Sequence, residues 1–236
     1  TAHVTITVKN PIGFPIPPTL TLERGTRLVT VVDGEEYPFA VIESSTATYD
    51  TVGNCFIFEN VSIKQGTFKV YRFRIDEYLD NQRFVIPDED VDIDTMRVRI
   101  KDNDNSSNYS IFTKFSSLIN VNAASKVYFI QENSNSRYEV YFGDGILGVK
   151  PSSNNIVEIE YIHTSATAAN GARNFDIVGE ISGNSDITVD TVGSAAGGSD
   201  RESIESIRFN SPLTYITQNR AVTADDYKAI IQREYG

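Results

Sequence analysis

Apolar and polar residues alternate one by one in several segments of the first 163 residues of this chain. The pattern is clearest at residues 2–9, 96–101, 138–142 and 156–164. Successive side chains of a strand point to opposite faces of a sheet, so a period of two predicts strands with one buried and one solvated face. We therefore expect a mainly β protein, built from antiparallel sheets and hairpins.

Turn-forming residues separate the predicted strands. Asp33-Gly34 lies between VTVV and EEYPFAVIE, which is the strongest short hairpin signal in the chain. A second hairpin is predicted about Gln65-Gly66, and a third across the polar residues 132–137. Four prolines between residues 11 and 18 predict an extended connector, because proline lacks the N–H that a central strand needs.

The charge balance and the cysteine count exclude several classes of protein. The 236 residues contain 21 Lys and Arg against 32 Asp and Glu, a net charge of −11. An acidic chain is repelled by phosphate, so we expect no nucleic-acid partner. No apolar run approaches the length of a membrane span, and no membrane insertion is expected. One cysteine, Cys55, allows neither an internal disulfide nor a cysteine zinc site.

The local composition and pattern of the sequence predict three regions. Residues 1–163 form a β-rich region, with a division into two subdomains placed near residues 76–95. Residues 164–198 are rich in small residues and are interpreted as a linker with one strand, and residues 199–236 as a helical segment. The chain opens inside a predicted strand and without Met, so we interpret it as a fragment of a larger multidomain protein. The helical segment would lead into a missing downstream domain.

Two short helices are predicted in the C-terminal segment. Ser199 with Glu202 three residues later has the spacing of a capping box, and an apolar stripe follows it. Pro212 is expected to end this first helix, since proline disfavours the helical conformation of the residue before it. Thr223 with Asp226 gives a similar start for the second helix.

Gly143-Asp144-Gly145 separates two predicted strands and is the most conspicuous candidate site. Gly143, Gly145 and Gly148 do not form a dinucleotide-binding fingerprint, because Lys150-Pro151 argues against a following helix. A hydrolase that uses Asp144 with His163 is a minor alternative, since no nucleophile motif accompanies them. The pattern favours a corner between paired strands, in which Asp144 caps nearby backbone amides.

A second candidate site is the polar stretch KDNDNSSNY. Asp102, Asp104 and Ser106 imitate the first three ligand positions of a calcium loop, but Ser107 replaces the required glycine and Thr113 the final glutamate. A polar hairpin tip is therefore the favoured interpretation. With the tyrosine-rich strands, the stretch leaves open one alternative function, a secreted carbohydrate- or calcium-binding β module. No cofactor is predicted.

The C-terminal half contains an ordered set of short motifs that are weak singly and specific together. A glycine corner comes first, then a glycine pair before the first predicted helix, then a polar motif about the second. Their residues are Phe142, Gly143, Asp144, Gly145, Gly148 and Pro151, then Gly197 and Gly198, then Arg220, Thr223, Asp226 and Tyr227. This set resembles the baseplate J-like family, and within it the larger wedge proteins of contractile-tailed phages.

The resemblance implies a structural protein with no enzymatic activity. It implies assembly through contacts with other baseplate wedge proteins, and self-association as a dimer in the intact protein. It further implies a location in the virion, in the tail baseplate, after assembly in the host cytoplasm. A member of this family would help couple receptor engagement to contraction of the tail sheath.

Overall fold

A computed structural model describes residues 1–9, 16–76, 81–116, 121–217 and 227–228. These residues form fifteen strands in two sheets and one helix. The prediction of a mainly β fold with antiparallel pairing is confirmed. One pair of strands is the exception, since β10 (Tyr109–Lys114) and β11 (Val127–Glu132) run parallel.

The first sheet has eight strands and collects both ends of residues 1–198. Its longest path runs β14-β3-β4-β6-β1-β15, and β5 pairs with both β2 and β6. The strands are β1 (Ala2–Lys9), β2 (Thr19–Leu22), β3 (Arg27–Val32), β4 (Glu35–Val41), β5 (Ser45–Asp50), β6 (Cys55–Gln65), β14 (Asp176–Ile177) and β15 (Ile187–Gly193).

β1 is an interior strand of this sheet and shows why the alternating sequence folds as it does. It pairs antiparallel with β6 on one side and with β15 on the other. Its apolar residues Ala2, Val4, Ile6 and Val8 are fully buried, and the threonines between them are partly exposed. Burial of one face of the strand fixes its register, because a shift of one residue would turn every apolar side chain outward.

The hairpin predicted at Asp33-Gly34 is confirmed. β3 and β4 pair in register from Arg27 with Ala40 to Val32 with Glu35. Asp33 and Gly34 both have positive φ, 52° and 87°. Two successive positive φ angles are the requirement of the tight hairpin turn that matches the twist of the flanking strands.

The second sheet has seven strands and is built from one continuous segment of the chain. Its order is β7-β13-β9-β10-β11-β12-β8. Besides β10 and β11, the strands are β7 (Thr67–Arg74), β8 (Phe84–Val85), β9 (Val91–Lys101), β12 (Tyr138–Phe142) and β13 (Ile156–His163). The predicted pairing across residues 132–137 is confirmed as the β11–β12 pair.

The hairpin predicted about Gln65-Gly66 is wrong. β6 belongs to the first sheet and β7 to the second, so Gly66 is the residue at which the chain passes between them. Gly66 has a φ of 123°, and a Cβ there would lie 2.1 Å from the carbonyl oxygen of His163. The chain therefore passes close against the end of β13, where only glycine fits. The sequence predicts a division of residues 1–163 into two subdomains near residues 76–95. Both this division and the independent folding of the subdomains stay predictions.

Residues 164–198 return to the first sheet. They supply β14 and β15, and the one strand expected in this region corresponds to β15. Their apolar side chains Ala169, Ala172, Phe175, Ile181 and Ala195 are buried in the first core. The small residues of this segment predict a linker. In the structure, three of them, Ala169, Ala172 and Ala195, pack in the first core.

Residues Thr1–Gly198 and Ser199–Gly236 form two compact units. In the second, α1 runs from Ile204 to Thr217 and continues through Pro212, so the predicted end at Pro212 is wrong. The hydroxyl of Ser203 accepts a hydrogen bond from the Ser206 amide at 3.2 Å, which makes Ser203 and not Ser199 the cap. Of the second predicted helix, only Tyr227 and Lys228 are described, and both are helical. No helix within the described ranges is long and apolar enough to cross a membrane.

Candidate functional site

The glycine corner follows β12 and is held by one carboxylate. Oδ1 of Asp144 accepts hydrogen bonds from the backbone amides of Ile146, at 2.9 Å, and Leu147, at 3.0 Å. The amide of Leu147, then that of Ile146, lowers the pKa of the exposed Asp144 carboxyl below its usual value. Asp144 is thus a local cap for the turn, as the sequence predicted.

The glycines of the corner serve two different needs. A Cβ on Gly143 would lie 2.3 Å from the carbonyl oxygen of Leu147, so this position requires a close approach of two backbone segments. Gly145 has a φ of 92°, and a Cβ there would make only an ordinary contact with the Cβ of Lys150 at 3.9 Å; Gly148 has a φ of 88°. These two positions therefore require the left-handed conformation that glycine adopts without a steric penalty.

The corner does not join paired strands, and that part of the prediction is wrong. β12 and β13 belong to the same sheet, but β9, β10 and β11 stand between them. The loop bonds instead to the segment before β11. The backbone amide of Gly148 donates to the carbonyl of Asn122, and the amide of Val149 donates to the carbonyl of Ser125. The alternation of polar and apolar residues identifies strands but not their neighbours, which is why adjacency in sequence misled the prediction.

Asp144 and His163, the pair proposed for a hydrolase, have separate partners. Asp144 bonds to the amides of its own turn, whereas Nδ1 of His163 lies 3.0 Å from the carboxylate of Asp88. A general base must lie within hydrogen-bonding reach of the group it serves. The structure therefore gives the Asp144–His163 hydrolase no geometric support.

Asp88 is the centre of a network that the sequence did not reveal. Its side chain is 7% exposed, and Oδ2 accepts from Nζ of Lys69 at 2.8 Å and from the Tyr161 hydroxyl at 3.0 Å. Burial alone raises the pKa of Asp88, but the bonds from Lys69, the Asp90 amide, Tyr161 and His163 outweigh it and lower the pKa. Burial, followed by the bond to Asp88, raises the pKa of Tyr161.

Three side chains of this network form the one group of described residues whose geometry would suit a metal ion. Ligand atoms of Asp88, Asp90 and His163 lie within 4.8 Å of one another. However, the ammonium group of Lys69 already contacts Asp88 at 2.8 Å and supplies the positive charge that a metal would bring. The arrangement is therefore that of an internal ion pair which ties β7 to β13 and to the segment before β9.

A second network connects the two sheets through Arg24, in the turn between β2 and β3. Nε of Arg24 donates to Glu160 of β13 at 2.9 Å, and its other nitrogens donate to the carbonyls of Ile42 and Thr95. The guanidinium lies 4.2 Å from the ring centroid of Phe68. Burial lowers the pKa of Arg24, and Glu160 opposes that shift.

Three basic residues of the second sheet pair with two glutamates of β13. Arg99 contacts Glu160 at 3.0 Å, and Arg72 and Lys101 contact Glu158 at 2.9 and 3.1 Å. Glu158 is 6% exposed, although Arg72 is largely in solvent. These three cations thus pair with carboxylates of β13 that are largely buried.

The calcium-like stretch lies at the tip between β9 and β10. Asp104 is paired with Arg74 at 2.6 Å, and the backbone carbonyl of Asp102 accepts from the side chain of Asn155. An arginine thus contacts one of the carboxylates that a cation would need. The arrangement agrees with the favoured interpretation as a polar hairpin tip.

The remaining motif residues belong to the end of the first unit and to the second. Gly198 exchanges two hydrogen bonds with the side-chain amide of Asn170, and a Cβ there would lie 2.3 Å from the carbonyl of Ala166. Gly197 has a φ of 81°. Arg220, Thr223 and Asp226 lie outside the described residues, and Tyr227 is 57% exposed. A role for these motif residues stays a prediction.

Sequence reasoning missed Asp88 and Arg24. Asp88 lies in a run of acidic residues, PDEDVDID, and Arg24 lies in a turn beside Gly25, so neither stands out in the sequence. The signal that was available is Tyr161, which shares one face of a predicted strand with Val157 and Ile159, because a tyrosine hydroxyl on a buried face requires a partner. Nothing in the local sequence identifies that partner.

Two comparisons with known proteins find the same relative. Residues 69–163 match the family model described as "Bacteriophage baseplate wedge protein gp6, third domain". The chain is also 32% identical over 143 residues to the baseplate wedge protein gp6 of Enterobacteria phage T4. The alignment covers 51% of this chain and 22% of that protein, so the chain corresponds to about a fifth of its length. The resemblance to a wedge protein of contractile-tailed phages is therefore confirmed.

Proposed function

We propose that this chain is a structural module of a phage baseplate wedge and acts through protein–protein contacts. The observation that carries the proposal is the match of residues 69–163 to the third domain of wedge protein gp6. Those residues cover nearly all of the second sheet, which begins at Thr67 and ends at His163. The similarity therefore concerns almost the whole of one sheet.

The internal contacts support a role that requires a stiff body. Arg24 reaches from the first sheet to Glu160, and Lys64 contacts Asp92 at 2.6 Å, also between the two sheets. Bonds of this kind, with low exposure, resist relative movement of the two layers better than apolar contacts, which have no preferred direction. A module that transmits force within a larger assembly would need such connections.

The finer parts of the proposal rest on the family resemblance. The partners would be other wedge proteins, the intact protein would form a dimer, and the location would be the tail baseplate, assembled in the host cytoplasm. The module would help couple receptor engagement to sheath contraction. Catalysis has no part in this proposal, and no observation favours the calcium- or carbohydrate-binding alternative.

Co-expression tests the proposal. The intact protein that contains this chain, expressed with the other wedge proteins of the same phage, is expected to co-purify with them in a complex of defined stoichiometry. A matched sample without the wedge proteins gives the oligomeric state by analytical ultracentrifugation, where a dimer is expected. Failure of the intact protein to enter any complex would contradict the wedge function.

A further inference from the structure

A groove of about 460 Å³ opens in the second sheet where β10 separates from β9. β10 pairs with β9 from Tyr109 to Phe112 and then turns to pair with β11 at Thr113. The groove lies between the diverging strands. Its lining consists of Ile93, Asp94, Met96, Arg97, Ile111, Phe112, Thr113, Lys114 and Tyr128.

An irregularity in β9 forms one wall of the groove. The backbone register sets Arg97 opposite Glu160 of β13 and Asp92 opposite Ile162, so residues 93–96 stand opposite Tyr161 alone. The hydroxyl of Thr95 accepts from the amide of Ile162 at 3.0 Å and donates to the carbonyl of Asp92 at 2.8 Å. The wide bulge is thus fixed by its own hydrogen bonds, and bulges of this kind redirect side chains away from the regular ladder.

The groove has an apolar floor and a mainly positive rim. Met96, Phe112 and Tyr128 are 8%, 5% and 3% exposed, whereas Ile111 on the wall is 60% exposed. Arg97 and Lys114 are exposed on the rim, and no carboxylate of the described residues pairs with either cation. Asp94 is the one acidic residue of the lining. In a chain of net charge −11, the rim of this groove carries more positive than negative side chains.

We propose that this groove binds a short segment of another polypeptide that presents an apolar side chain flanked by carboxylates. The inference rests on the proposed assembly function and adds the chemistry of one partner. An apolar side chain would cover Phe112 and Ile111, and Met96 can adapt its shape to the side chain it meets. Carboxylates beside it would meet Arg97 and Lys114, which set orientation and association rate.

A labelled peptide tests the chemistry of the groove. The probe is fluorescein-labelled Asp-Leu-Glu-Phe-Asp, titrated with the 236-residue chain and followed by fluorescence anisotropy. We expect saturable binding that weakens at least about tenfold with R97E combined with K114E, and that weakens in about 0.5 M salt. The exposed I111D variant should lose binding without loss of the fold.

Matched controls distinguish peptide binding in the groove from non-specific binding elsewhere on the chain. V70D changes another exposed apolar strand residue, 49% exposed on β7, and K9E reverses a charge in the first sheet; neither should alter binding. Circular dichroism confirms that each variant is folded. Absence of saturation, equal binding of Asn-Leu-Gln-Phe-Asn, or equal losses in V70D and I111D would overturn the inference.

Crosslinking identifies the occupant and keeps this inference distinct from the wedge function. A photo-crosslinking residue replaces Ile111 in the intact protein, within the complex with other wedge proteins, and Val70 serves as the control position. The adduct at residue 111 should map to an acidic and apolar segment of another polypeptide. A crosslink to a second copy or within the same chain, or the absence of any crosslink, contradicts the proposed binding in the groove, even where the complex still forms. If the complex never forms, the wedge function itself fails.

Discussion

At the scale of single residues, Gly143 and Gly145 show that two glycines of one motif can be required for different reasons. We expect G143A to lower the free energy of unfolding by about 3 kcal/mol, because its Cβ would overlap backbone atoms that cannot easily move. G145A should cost about 1 kcal/mol, since only the left-handed conformation is penalised there. Urea unfolding of both variants measures the difference, and equal losses would contradict the close approach at Gly143.

Asp88 should make stability depend on pH in the acidic range. The pKa of Asp88 in the folded chain lies below its unfolded value of about 3.9, so the folded state favours the ionised carboxylate. The stabilisation is complete above the unfolded pKa and is lost as pH falls towards the folded pKa. We expect D88N to be less stable than the native chain at pH 7, with a smaller loss on acidification below about pH 4.

Thermal unfolding at several pH values from neutral to acidic measures how the stability of D88N and of the native chain depends on pH. D104N is the matched control, because Asp104 is 58% exposed and its ion pair with Arg74 contributes little in solvent. That variant should follow the native pH profile. If D88N and the native chain lose stability in parallel on acidification, the network around Asp88 does not act as described.

At the scale of the elements, the turn between β2 and β3 fastens the first sheet to β13. Arg24 is 14% exposed at its side chain and Glu160 16%. We expect R24A to cost about 3 kcal/mol, because it leaves Glu160 with Arg99 as its remaining partner and also frees two carbonyl acceptors. R24K should recover only part of this loss, since an ammonium group cannot reproduce the planar set of donors.

R74A is the control for the Arg24 variants. Its ion pair with Asp104 is exposed on both sides, and the loss should stay within about 1 kcal/mol. Chemical unfolding of the three variants gives the comparison. Equal effects of R24A and R74A would mean that the bond between the sheets contributes no more than a surface ion pair.

At the scale of the whole molecule, the first sheet includes strands from the residues after His163, and the second does not. β15 pairs with β1, and Phe175 packs edge-on against Phe39 with ring centroids 4.8 Å apart. A chain that ends after residue 163 should therefore lose the order of its first sheet, because one edge of β1 and part of the core become exposed. Residues 67–163 alone should fold, since they contain every strand of the second sheet.

Amide NMR spectra of the two fragments measure this difference. Residues 67–163 should give dispersed resonances and a cooperative unfolding transition. The fragment 1–163 should show dispersed resonances for its second sheet and collapsed or broadened ones for the first. A fully dispersed first sheet in fragment 1–163 would contradict the assignment of residues 164–198 to the first core.

The sequence alone determined the fold class, because alternation of apolar and polar residues depends only on which face of a strand is buried. It identified the Asp33-Gly34 hairpin and the cap function of Asp144, since both depend on neighbours a few residues away. The motif set from Phe142 onward also pointed to the wedge proteins, which the comparisons support.

The tertiary structure decided which strands are neighbours and which distant side chains meet. Asp88 lies 73 residues from Tyr161, and Arg24 lies 136 residues from Glu160. No local pattern encodes such pairs, because a buried polar group requires a partner but does not specify where in the chain it lies. For the same reason, the passage at Gly66, the place of residues 164–198 in the first sheet and the groove beside β9 became visible only in the folded chain.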